Sequence, residues 1–279
     1  MTSIPLLFTL LLSLSSRLAL SSPSVPASRL RVVLLRHGES ENNVLNEVSN
    51  AHYRENRFAD PKLTTLGHRQ AEATAAFLTS PSPASHPLLA DIDHIYVSPF
   101  SRTCETALPL VKATGKPATV WSDIWEVSGC YDGAGDETVG VPGPTADLIE
   151  ERFGYDTSHM EEGGGGFFKL PKRETYGEAV DRITGVAARL RAMAEECAET
   201  GQDKTICLVC HGDFIDIILN VLLRMKTNPL IARFRTYNTS LSAIDIFGGS
   251  GEGMCALLFS NFHEHMAGDL CKKEKLGLV

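Results

Sequence analysis

Val32-Val33-Leu34-Leu35-Arg36-His37-Gly38-Glu39-Ser40 is the stretch around which the chain is organised. Four apolar residues run directly into a basic pair and a glycine. A short, bounded apolar run is the pattern of a strand buried on both faces of a parallel sheet. Arg36 and His37 then fall at the carboxyl end of that strand, where open α/β sheets hold their ligands. Gly38 lets the backbone turn away sharply and come close to a bound group. Two readings stand: His37 as a nucleophile with Arg36 as a phosphate clamp, or a strand end with a solvated basic pair. A motif this short does not separate them, and the surrounding chain must.

Working outward, strand-like runs recur at 92–97, 116–121 and 205–210, with a closing pair at 240–247 and 254–259. Helical patterns lie between them. One opens at Leu63-Thr64-Thr65-Leu66-Gly67, with Thr64 or Thr65 as cap, and runs to about residue 78. Another follows Ser98-Pro99-Phe100-Ser101-Arg102-Thr103, with Ser101 as N-cap. Long apolar-faced helices are expected over about 174–200 and 214–223. Residues 39–61 read as a polar loop over the first strand end, and 81–87 as a Pro/Ser-rich surface loop. Strand-helix alternation predicts an α/β protein: a three-layer sandwich, mostly parallel central sheet, helices on both faces. Residues 132–172 interrupt the pattern. They are rich in Gly and Pro, hold one short helix near 145–152, and carry the pair Phe167-Phe168. So long an irregular insertion reads as a lid, and the paired aromatics favour one that packs.

Composition narrows the function classes. A chain of 279 residues, 43% hydrophobic and 22% charged, can bury one large core with a lid. A formal net charge of -8 argues against nucleic-acid binding. It leaves small anionic substrates open, because Arg and His clustered in a pocket can act against the global sign. Seven cysteines, an odd number spread over a long chain, do not form a disulfide framework. Cys207-Leu208-Val209-Cys210-His211 matches the spacing of c-type haem attachment. On a strand, however, positions i and i+3 point to opposite faces. The two sulfurs then diverge, which excludes haem, zinc or a mutual disulfide and leaves two small buried hydrophobes.

The first 29 residues stand apart. Residues 6–14 are mostly apolar, a Ser/Pro-rich stretch follows, and no acidic residue precedes Glu39. The run is too short for stable membrane insertion. A secretory signal fits the apolar core, with Ala19-Leu20-Ser21 as a cleavage candidate, though no Lys or Arg precedes it. An organelle transit peptide fits the serines, Arg17 and Arg29. A disordered tail is the third reading. The compartment is then the secretory pathway or extracellular space, or an organelle. The catalytic domain is expected to span 30–262, with a C-terminal tail over 263–279.

Three strand ends carry basic residues: Arg36-His37, Arg102 and His211, with Glu126 after the next strand. In a doubly wound sheet such ends converge along one edge. With Leu63-Thr64, Gly67, Gln70-Ala71, Ser98-Pro99, Thr106-Ala107, Gly129, Glu174-Thr175 and His211-Gly212 in order, the chain resembles the histidine phosphatase superfamily, whose members include cofactor-dependent phosphoglycerate mutases. The resemblance covers roughly 30–247. It implies that His37 takes the phosphoryl group and that Arg36, Arg102 and His211 surround the phosphoryl oxygens. Asn43, Gly67 and Gly212 add neutral substrate contacts, and Glu126 is the general acid. It also implies that no metal or other cofactor is needed, since cationic side chains do the charge work. His263 and His265 could share a strand face and bind metal, but a solvated C-terminal segment is the simpler reading. The partner is then a small phosphorylated metabolite; oligomeric state is not legible. Segments typical of dedicated phosphoglycerate mutases around the acid are missing, which favours a phosphomonoesterase over a phosphoglycerate or phosphosugar mutase. An inactive phospho-ligand binder comes third.

Overall fold

A computed structural model describes residues 28–80, 91–135, 137–160, 165–227, 233–249 and 254–270. The expected strand becomes β1, Arg29–Arg36. Residues 39–61, expected as a loop, instead fold into two short helices, α1 (Glu41–Val48) and α2 (Asn50–Asn56). The cause is local capping. Asn43 Oδ1 accepts from both the backbone N–H and the hydroxyl of Ser40, and Ser49 Oγ accepts from the His52 N–H. Neither helix buries a residue, so neither leaves an apolar stripe to read in the sequence. Then come α3 (Thr65–Thr79), capped by Thr64, and β2 (His94–Val97). In α4, Ser101–Thr114, Ser101 is the first helical residue and not the cap. Its hydroxyl and N–H are both held by the Asp60 carboxylate, at 2.5 and 2.9 Å. A remote carboxylate thus does the capping that was expected of the serine itself.

After β3 (Ala118–Val120), the insertion holds a small pair, β4 (Tyr131–Asp132) and β5 (Val139–Gly140), and the helix α5 (Ala146–Phe153). The long helix α6 (Tyr176–Thr200) leads to β6 (Lys204–Cys210) and α7 (Gly212–Leu222). β7 (Leu241–Phe247) and β8 (Met254–Phe262) close the sheet. The six strands lie in the order β3-β2-β6-β1-β7-β8. β1, β2, β3 and β6 are parallel; β7 and β8 run antiparallel at one side. The fold is therefore mixed α/β, with a mostly parallel central sheet.

Alternating residues of the central strands feed two cores. Leu30, Val32, Leu34, Ile206, Leu208 and Cys210 pack with α6 and α7; Val33, Leu35, Cys207 and Val209 pack with α4 on the other side. Cys207 and Cys210 thus lie on opposite faces, as strand geometry requires. β6 sits between β1 and β2, so the carboxyl ends of all three strands stand side by side. Phe167 and Phe168 are 6% and 3% exposed, the former edge-on to Phe100 at 4.9 Å. The insertion is thereby anchored in the second core.

Residues 263–270 after β8, expected to be solvated, fold back on α3. His265 stacks on Phe77 at 4.9 Å and meets Thr74 Oγ1 at 3.0 Å through Nε2, and Met266 is buried. Burial pushes the His265 imidazole down to about 4. His263 is held separately, its Nδ1 donating to the Asn261 carbonyl at 2.8 Å. Among the described residues no helix is long and apolar enough to cross a membrane. Residues 1–27 of the expected targeting segment and the 81–87 loop lie outside the described residues; its last residue, Arg29, instead opens β1.

Candidate active site

His37 is the first residue beyond β1, and hydrogen bonds fix its backbone from three sides. Its N–H donates to the Cys210 carbonyl of β6 (3.0 Å), and its carbonyl accepts from Thr239 N–H (3.2 Å) and Asn238 Nδ2 (3.1 Å). The next N–H, of Gly38, donates to Thr106 Oγ1 of α4 at 3.0 Å. The ring is fixed as well. Nδ1 lies 2.7 Å from the Gly38 carbonyl, which can only accept, so the proton is on Nδ1 and Nε2 carries the free lone pair. Burial first, then the Arg102 and Arg36 guanidiniums, hold the imidazole well below its ordinary pKa. His37 is a neutral, single-tautomer base on the wall of a cleft.

His211, in contrast, lies beneath the cleft with no exposed surface. Arg102 Nη2 donates to its Nδ1 at 3.0 Å. The remaining proton then sits on Nε2, which donates to Ser98 Oγ at 2.7 Å. Burial and the Arg102 charge keep this ring neutral too. The His211 and His37 rings meet edge-on at 5.4 Å. Arg102 also lies over the Phe100 ring at 4.2 Å, and Arg36 donates to the Thr236 carbonyl. Arg102 is thus held beside the His37 ring by His211 and Phe100, and Arg36 by the Thr236 carbonyl.

Glu126 reaches the same cleft from the loop after β3. Its Oε1 accepts from its neighbour Val127 N–H (2.9 Å) and from Phe214 N–H in the first turn of α7 (3.1 Å). Burial, and secondly the nearby Asp213 carboxylate, push its pKa up to about 7 against the opposing pull of Arg102. The loop itself is pinned by a buried ion pair. Arg182 of α6 meets Glu174 through two N–H groups at 2.8 Å and donates to the carbonyls of Asp123 (2.7 Å) and Trp125 (3.2 Å).

Arg36, His37, Asn43, Arg102 and Glu126 line one cleft of about 650 Å³. Asn43 is fixed there by Asn238, whose Nδ2 donates to its Oδ1 at 3.2 Å. Gly67 and Gly212, expected to contact substrate, are not on the wall. A Cβ on Gly67 would stand 2.1 Å from the Glu39 carbonyl oxygen, so this glycine lets the start of α3 press against the turn after His37. A Cβ on Gly212 would stand 3.3 Å from Arg36 Nε, so this glycine leaves room for the guanidinium. Sequence reasoning assigned no role to Ser98, Thr106, Thr236 or Asn238. Ser98 and Thr106 were visible as motif residues and Asn238 as a polar residue ahead of a strand. Thr236 acts through its carbonyl and leaves no side-chain signal.

Residues 32–254 match the sequence pattern of the histidine phosphatase superfamily (branch 1). The chain belongs to this superfamily. A curated relative, the probable phosphoglycerate mutase GpmB of Photorhabdus laumondii, is 28% identical over 217 residues, covering 77% of this chain and 85% of the relative. The glucosyl-3-phosphoglycerate phosphatase of Mycolicibacterium vanbaalenii is 27% identical over 199 residues, covering 71% of this chain and 76% of its own length. Among solved structures, a mycobacterial glucosyl-3-phosphoglycerate phosphatase superposes with a TM-score of 0.53 at 22% identity, covering 84% of this chain and 99% of that one. The last likeness establishes the histidine phosphatase fold. Proteins named as phosphatases and as probable mutases both stand among the relatives of this superfamily member.

Proposed function

We propose that the protein is a phosphomonoesterase that works through a phosphohistidine on His37. The observation that carries this is the commitment of His37 Nδ1 to the Gly38 carbonyl, which leaves Nε2 as the attacking nitrogen. In the first step Nε2 forms a bond to phosphorus as the P–O bond to the alcohol breaks. Glu126, protonated below pH about 7, gives its proton to the departing oxygen. Arg36 and Arg102 hold the equatorial oxygens, where two forks suit a phosphoryl group better than point charges would. In the second step water attacks phosphorus, Glu126 takes the water proton, and the N–P bond breaks to release inorganic phosphate. His211 acts through Arg102, as a positioning residue. The test is hydrolysis of an aryl phosphate by the parent and by His37→Ala. The variant is expected to lose activity by at least about a thousandfold and to form no acid-labile phosphoprotein. Equal rates in the two proteins sink the mechanism.

The name of the Photorhabdus relative keeps mutase action as the second reading. It is favoured instead if a bisphosphorylated primer stimulates isomer exchange over release of inorganic phosphate. For the residues ahead of β1, 1–28, we propose a targeting role, read by fusing them to a fluorescent reporter. Secretion or organelle import supports it, and a diffuse cytosolic signal removes it.

A further inference from the structure

The mouth of the active-site cleft is more cationic than the transfer of one phosphoryl group requires. Beyond Arg36 and Arg102 the wall carries Arg54 and Arg57, from α2 and its C-terminal edge, and Arg173 from the end of the insertion. Tyr131 gathers two of these guanidiniums. Arg57 lies 3.7 Å from the centre of its ring and Arg173 lies 5.4 Å from it. Arg57 is half-buried and donates to the Tyr131 carbonyl, with Nε 3.4 Å from Tyr53 Oη. Arg173 donates through Nε to Ser128 Oγ at 3.0 Å.

None of these three arginines has a carboxylate within ion-pair distance among the described residues. The inner bonds of Arg57 and Arg173 go to neutral oxygens, and Arg57 Nη2 and both terminal nitrogens of Arg173 have no protein acceptor there. Like charges gathered around one ring repel each other, and a partly desolvated guanidinium without a counter-ion is costly. An anion supplied by the ligand relieves both costs at once.

We infer that Arg54, Arg57 and Arg173 form a second anion subsite, and that the substrate is an organic bisphosphate: one phosphoryl group transferred to His37, the other held at Tyr131. This assignment of substrate class rests on the phosphatase reading above. Charge matching selects phosphate over carboxylate. A phosphate monoester carries about 1.5 to 2 negative charges near pH 7 and three acceptor oxygens, against one charge on a carboxylate. Three forks with several unused N–H groups match the former. There is also space beyond the subsite. Arg173 stands where the cleft joins a second cavity of about 690 Å³ that shares Ser128, Thr138 and Asp213 with the first.

The test uses the full chain and three probes of equal chain length: an alkanediol bisphosphate, the alkyl monophosphate, and the alkyl phosphate bearing a terminal carboxylate. The kcat/KM for the bisphosphate is expected to exceed that for the monophosphate by at least about tenfold, with the carboxylate between them. In the double variant Arg54→Gln/Arg173→Gln this preference is expected to shrink to within about threefold. Because the readout is a ratio within one protein, partial misfolding of the variant cancels. An unchanged ratio overturns the subsite, and a carboxylate probe equal to the bisphosphate overturns the choice of phosphate. If the parent hydrolyses none of the probes, the phosphatase reading has failed, and calorimetry on His37→Ala judges the subsite alone. Tighter bisphosphate than monophosphate binding there, weakened by the double substitution, supports it; equal binding overturns it.

Discussion

Glu126 sets the pH dependence at the scale of single residues. Its carboxyl is pushed up to about 7, so it is available as an acid below that pH and lost above it. His37 has the opposite shift. Held well below its ordinary value by burial and by the Arg102 and Arg36 charges, it stays neutral where Glu126 titrates. For an alkyl phosphate, whose leaving oxygen needs a proton, kcat/KM is therefore expected to fall about tenfold per pH unit above about 7. Glu126→Gln should remove that limb and lower the alkyl phosphate rate by about a hundredfold or more. With an aryl phosphate the leaving group needs less help, but water activation still depends on Glu126. The same variant should then release one equivalent of phenol in a burst, followed by slow turnover, which stopped-flow absorbance would record. A profile unchanged by the substitution would assign the acid elsewhere.

At the scale of elements, the site depends on how the acid loop is tied to the body of the fold. β1 and β6 are locked into a parallel ladder, so His37 and His211 move only with the sheet. The stretch from Trp121 to Cys130 contains no strand, only the short 3₁₀ turn Ser122–Ile124. Among its ties to the body are the Phe214 N–H on Glu126 and Arg182 on α6, clamped to buried Glu174 and stacked 4.3 Å from the centre of the Trp125 ring. Removing one partner of such a pair leaves the other charge buried and uncompensated. Arg182→Ala is expected to destabilise the fold by about 3 to 5 kcal/mol in urea unfolding. It should also lower kcat for an alkyl phosphate more than for an aryl phosphate, because the loop it frees carries the acid. An equal loss on both substrates would limit Arg182 to a structural part.

Across the whole molecule, charge is divided between surface and cleft. The chain carries a formal net charge of -8, yet among the described residues five arginines and two carboxylates line the cleft. A low-dielectric cleft of one sign focuses its field outward and raises the local concentration of the opposite charge. A phosphate ester is thus drawn to the cleft of a chain whose net charge otherwise repels it. Raising ionic strength from about 0.01 M to about 0.15 M shortens the screening length from about 30 Å to about 8 Å. The kcat/KM is expected to fall several-fold over that range, mainly through KM, as steady-state assays in added NaCl would measure. A salt-independent KM would show that the cleft field does not steer the substrate.

The sequence alone sufficed for the parallel sheet, the family and the residues around His37. Buried strands are continuous apolar runs, and the strand-end residues follow them directly. It was blind to α1 and α2, whose capping bonds leave no apolar stripe, and to the partners of His37 and Arg36 near residues 236–239, about 200 positions away in the chain. Gly67 and Gly212 show the same limit: their family positions were legible, but that they serve packing depends on which atoms a Cβ would meet. Tautomers, the raised carboxyl of Glu126 and the outer arginine group are likewise properties of neighbours in space. Local pattern encodes which face of an element is buried; only the folded chain decides which distant groups share a hydrogen bond or a field, because those energies depend on separation in space and not along the chain.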